Sequence, residues 1–76
     1  MKEQLFEYIR SLICDLTNRP ISRVSWLKAD IGLDSLDIAQ LLVEIEKKYP
    51  RLNIDEIFFM EDVTIEQLIN AIEKVL

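Results

Sequence analysis

Seventy-six residues, half of them apolar, are enough for one modest core and a single domain over residues 1–76, without metals or bridges. Fourteen acidic against nine basic side chains leave a net charge of −5, which repels a phosphate backbone and excludes nucleic-acid binding on electrostatic grounds. One cysteine, Cys14, and no histidine exclude an internal disulfide and a zinc site, and point to a reducing, cytoplasmic setting.

The chain opens with charged and apolar residues interleaved (Met1, Lys2, Glu3, Gln4, Leu5, Phe6, Glu7), which is neither a secretory segment nor a membrane span. Leu5, Ile9, Leu12 and Leu16 recur at four, three and four, with Phe6 and Ile13 widening the stripe, so a helix is expected over 3–17. Cys14 falls off that stripe, which predicts partial exposure and slow disulfide dimers in air. From Pro20 to Leu33 no period holds, and a long loop is expected, with a short turn at Ser22–Ser25. Val24, Trp26, Leu27 and Ile31 are its candidate anchors.

Asp34 has the chemistry of an N-cap, and Asp37 adds negative charge to the first turn of a second helix, which places Ser35 on that turn. Ile38, Leu42, Ile45 and Tyr49, flanked by Leu41, form its inward face. Pro50 ends it, after Lys47 and Lys48 at the negative end of the dipole. Between Pro50 and Thr64 there is room for one short helix, opening near Asp55 and carrying Ile57, Phe58 and Phe59. Those two phenylalanines and Met60 read first as packing residues and second as the wall of a cargo pocket. Thr64 with Gln67 makes a capping box for a last helix, whose inward residues are Ile65, Leu68, Ile72 and Val75, with Ile69 and Leu76 alongside. The expected fold is all-α: a four-helix bundle with three longer helices, a short third one and a long first loop.

The chemistry gathers around Ser35. Gly32, the only glycine, precedes it where a sharp turn calls for positive φ. Leu36 lies off the inward face and, with Ala39 and Val43, forms a second, shallower apolar stripe that a partner could read. A serine hydroxyl at a helix start suits a phosphate diester, because free N–H groups and the positive dipole end favour negative charge; the plainer alternative is a serine that belongs only to a cap. No catalytic residue is expected: without histidine Ser35 has no imidazole base, and Lys28, the nearest lysine in sequence, has no evident role. A calcium loop over 30–41 fails, since Gly32 stands where an oxygen ligand is needed and Leu41 where the closing glutamate belongs, so no metal is expected.

The stretch Asp30-Ile31-Gly32-Leu33-Asp34-Ser35-Leu36-Asp37 resembles the phosphopantetheine attachment site of acyl carrier proteins, with Asp34-Ser35-Leu36 as the family's core tripeptide. Length, helix order and the Val63-Thr64-Ile65 approach to the last helix extend the resemblance over the whole chain. It implies that a phosphopantetheinyl transferase attaches 4'-phosphopantetheine from coenzyme A to Ser35, that acyl groups ride on the arm as thioesters, and that the protein is not itself an enzyme. It also implies a docking face with Leu36, Ala39 and Val43 at its apolar centre and Asp34, Asp37, Gln40 and Glu44 as its polar rim, offered by a monomer to acyl-transferring and synthase enzymes with basic docking faces. Departures are visible. Gln40, Lys47 and Lys48 dilute the acidic run of the second helix, the first loop is shorter than in carriers of bacterial fatty-acid synthesis, and Phe58 and Phe59 are bulky for a third helix. These favour a specialised carrier, for polyketide, modified lipid or similar pathways, over a primary fatty-acid one, while Leu33 in place of a second glycine argues against the peptidyl carriers. The competing function is a helical adaptor that binds partners through the same stripe and is never modified.

Overall fold

The computed structural model describes residues 2–76. Four helices follow the expected order with no strand among the described residues: α1 (Lys2–Cys14), α2 (Ser35–Lys48), α3 (Ile54–Phe58) and α4 (Ile65–Lys74). α1 packs on α4 and α2, and α2 packs on α3. No helix of the described residues is long and apolar enough to cross a membrane.

α1 buries Leu5, Ile9 and Ile13, while Leu12 and Leu16 are only half-buried. It ends at Cys14 rather than at residue 17. Beyond it the N–H groups of Leu16 and Thr17 both donate to Ile13 O (2.8 and 2.9 Å), so the stripe runs on through a tightened turn that is no longer helix. Cys14 is exposed.

The first loop anchors itself differently from expectation. Leu27, Ile31 and Leu33 are buried, but Val24 is 74% and Trp26 40% exposed. Trp26 contributes its backbone instead: its carbonyl accepts from the Asp30 and Ile31 N–H groups (3.0 and 2.9 Å), its own N–H donates to Asp30 Oδ2 (2.8 Å), and it forms an antiparallel bridge with Thr64. With the next N–H, that of Leu27, donating to Val63 O (2.9 Å), Leu27 is the side chain turned inward. The short turn at Ser22–Ser25 is present, closed by the Ser25 N–H on Ser22 O (3.1 Å).

α2 buries Ile38, Leu41, Leu42 and Ile45; Tyr49, half-buried, caps its C-terminal end and meets Tyr8 of α1 edge-on at 6.1 Å. α3 starts at Ile54 because Asn53, not Asp55, supplies the cap, its Oδ1 accepting from the Glu56 N–H (3.2 Å). Only Ile57 of this helix is buried. Phe58 and Phe59 are 43% and 84% exposed, which corrects the expectation that they pack into the core. The capping box of α4 is complete, with Thr64 Oγ1 accepting from the Gln67 N–H (3.1 Å) and Gln67 Oε1 from the Thr64 N–H (2.9 Å). α4 stops at Lys74, short of the C-terminus, and Leu76 is exposed.

All four helices and the first loop meet in one apolar cluster to which no polar or charged residue belongs. α4 lies deepest, with Ile65, Leu68, Ile69 and Ile72 fully buried. Each such side chain contributes roughly 1.5–3 kcal/mol of burial, so the helices are held by this cluster more than by their own propensity.

Candidate functional site

The start of α2 is built by reciprocal capping. Asp34 Oδ1 accepts from the Asp37 N–H (2.8 Å), Asp37 Oδ2 lies at the edge of hydrogen-bond reach of the Asp34 N–H (3.5 Å), and the Ile38 N–H donates to Asp34 O (3.0 Å). This capping box was only half legible, since the sequence suggested Asp37 merely as a favourable charge. The box leaves the N–H groups of Ser35 and Leu36 without a protein acceptor among the described residues. Ser35 is the first residue of the helix, its side chain exposed and its hydroxyl outside every hydrogen bond of the described residues. The cap is therefore Asp34, and Ser35 is not needed for it.

Gly32 leads into this corner with φ of 85°, the only positive φ among the described residues. The chain then returns inward at Leu33, whose N–H donates to Leu27 O (2.9 Å), so the approach to Ser35 is tied down two residues before the serine.

Ser35 lies in a small cleft of about 40 Å³ between α2 and α3, lined also by Lys28, Ile38, Ile57, Phe58, Met60, Asp62 and Val63. A space of that size accepts about one water, too little for an acyl chain. Asp62 fastens the cleft's edge: Oδ1 accepts from the N–H groups of Lys28 (2.9 Å) and Val63 (2.8 Å), and Oδ2 from that of Ala29 (3.0 Å). Partial burial pushes the Asp62 carboxyl up, but these three donors and the Lys28 charge outweigh it and hold the group below its ordinary value.

The residues expected to form the docking face are divided between two surroundings. Ala39, Gln40, Val43 and Glu44 open away from the serine cleft into a groove of about 530 Å³ shared with Leu12, Asp15 and Leu16 of the α1 end. Leu36, 67% exposed, stands beside the serine and lines neither space; Asp34 is exposed and Asp37 half-buried. Glu44 is paired with Lys47 (3.2 Å), and Lys48 lies over the Tyr8 ring (4.4 Å to its centre). Neither Asp62 nor the α1 contribution to the groove was legible in the sequence. A carboxylate three residues before a helix is a weak signal, and two of its three donors lie 33 and 34 residues away in the chain.

No group of histidine, cysteine, aspartate and glutamate side chains suited to a metal ion occurs among the described residues. The family described as "Phosphopantetheine attachment site" matches residues 7–72. A protein named "Acyl carrier protein" from Onion yellows phytoplasma (strain OY-M) is 32% identical over 73 residues, covering 92% of this chain and 95% of its own. Another of that name, from Aster yellows witches'-broom phytoplasma (strain AYWB), is 33% identical over 73 residues with the same coverage. No solved structure gives a significant match. With the family match spanning α2 and its approach, and two relatives aligned over nearly their full length, the chain belongs to the acyl carrier protein family, whose members carry phosphopantetheine and act as carriers rather than enzymes.

Proposed function

We propose that Ser35 is the residue that takes the phosphopantetheine arm, and that the chain presents acyl groups on it to a succession of enzymes. The observation that carries this reading is an exposed serine hydroxyl at the first position of α2, beside two uncommitted N–H groups and with the capping role already filled by Asp34. The residues fit the group: a phosphodiester on Ser35 finds free donors and the positive dipole end where it is attached. Attachment forms the Ser35 Oγ–phosphorus bond and breaks the pyrophosphate bond of coenzyme A, releasing adenosine bisphosphate. The hydroxyl proton leaves to a general base, which in this reading the transferase supplies, since the chain has no histidine to offer an imidazole. The arm's terminal thiol supplies the thioester that holds the acyl group.

Leu36, Ala39 and Val43, with the rim of Asp34, Asp37, Gln40 and Glu44, form the face offered to partners with basic docking surfaces. A carrier that visits several enzymes requires contacts on this face that are weak and exchange quickly. The Glu44–Lys47 pair weakens the negative field of that face, which supports a specialised pathway over one whose enzymes select a uniformly acidic helix. A cytoplasmic monomer is the setting that suits this work.

Intact mass tests the reading. Incubation with coenzyme A and a broad-specificity phosphopantetheinyl transferase should add one arm per chain to the wild type and none to Ser35→Ala, while the far-ultraviolet circular dichroism of the two stays the same. A wild type left unmodified by several such transferases would make the chain an adaptor instead.

A further inference from the structure

Among the described residues, Lys28 is the only cation lining the Ser35 cleft. Its root is fixed, since its N–H is held by Asp62 Oδ1 at 2.9 Å and the neighbouring Ala29 N–H by Oδ2 at 3.0 Å. Its head makes no ion pair within 4.0 Å among the described residues, although its charge helps to hold the Asp62 carboxyl down. The ion pairs within 4.0 Å among the described residues use Lys2, Arg10 and Lys47 but not Lys28, and the Asp62 oxygens are already engaged by three backbone donors. Arg19, the other cation near the approach to α2, lies against Gly32, with its guanidinium carbon 3.8 Å from where a β-carbon would stand, and does not line the cleft.

A phosphodiester on Ser35 carries one negative charge and stands beside the carboxylates of Asp34 and Asp37, with Asp62 across the cleft. The dipole and two N–H groups favour it, the three carboxylates oppose it, and one mobile ammonium on a four-carbon stem is the group within the cleft that can offset them. We propose that the Lys28 ammonium pairs with the phosphodiester on Ser35 and fixes the root of the arm over the α2–α3 cleft, a positioning role that rests on Ser35 being the attachment residue. Pairing with Lys28 keeps the root of the arm at this cleft, apart from the groove that Ala39 and Val43 form with the end of α1.

The test uses the loaded protein, with intact mass first reporting attachment in the wild type, Lys28→Met and Arg19→Gln. Loaded wild type should give a nuclear Overhauser contact between the Lys28 ε-methylene and the arm's phosphoester methylene, and a phosphorus resonance that moves as salt screens the pair. Lys28→Met should lose that salt response and hold its phosphorus shift at the wild type's high-salt value, while Arg19→Gln keeps the wild-type behaviour. Lys28 is exposed, and its backbone bond to Asp62 survives the substitution, so the variant folds. A loaded wild type with no Lys28 contact and a salt response equal to that of Lys28→Met overturns the pairing and leaves the attachment site standing. A wild type that takes no arm on Ser35 removes both.

Discussion

Gly32 and Ser35 divide the labour at the corner before α2, one supplying a backbone shape and the other, in the proposed function, the reactive atom. At Gly32 a β-carbon would meet only the Arg19 side chain, at 3.8 Å and beyond, which is ordinary contact, so the position demands glycine through its φ of 85° and not through crowding. Gly32→Ala should therefore cost about 1 kcal/mol, lowering the melting temperature by roughly 4–8 °C, and a thermal melt checks it; an unchanged midpoint would mean that the corner relaxes without strain. The turn at Gly32 and the place of Ser35 at the helix start were legible in the sequence because both are local: a lone glycine before a cap, and a serine just inside it. Lys28 was not, since its place beside Ser35 depends on Asp62, a partner 34 residues away.

Among the elements, the starts of helices were easier to read than their ends. Asp34 and Thr64 announce α2 and α4 because capping is a matter of a few adjacent side chains. The end of α1 was overrun by three residues because Leu16 keeps the apolar spacing after the backbone has tightened on Ile13. Trp26 and Val24 were misread as anchors because size and hydropathy say nothing of which way a loop turns; the backbone bonds of Trp26 decided that Leu27 is buried in its place. The Asp62 clasp joins the first loop to the start of α4, and Asp62→Ala should destabilise the fold by about 1–2 kcal/mol at neutral pH. Its carboxyl sits below the ordinary value in the folded chain, so the stability it adds is complete above the unfolded value of about 4 and drains away as pH falls through the folded one. Urea melts of both proteins should differ at pH 7 and converge in strong acid; a constant difference would deny the carboxylate this role.

At the scale of the whole molecule, one apolar cluster gathers four helices and a twenty-residue loop, with the Asp62 clasp and a few backbone bonds fastening the loop to α4. A chain of this length has roughly 4–11 kcal/mol of stability in total. Ile69→Ala, at a side chain with no exposed surface, should remove about 2–5 kcal/mol of it and leave a protein partly unfolded at body temperature, as circular dichroism would report. The overall fold was readable because the 3.6-residue period of each long helix pointed to this one core; the split of the α2 surface between a serine cleft and an α1 groove was not, since it depends on how the helices lie against each other. The proposed function asks for such an arrangement: a rigid body with a tethering atom at its edge and a separate face for partners. The most direct measurement is fragment-ion mass spectrometry of the loaded chain, which locates the arm among Ser11, Ser22, Ser25 and Ser35. All of the added mass on Ser35 is the predicted result, and an arm on any other serine, with Ser35 bare, would contradict the account.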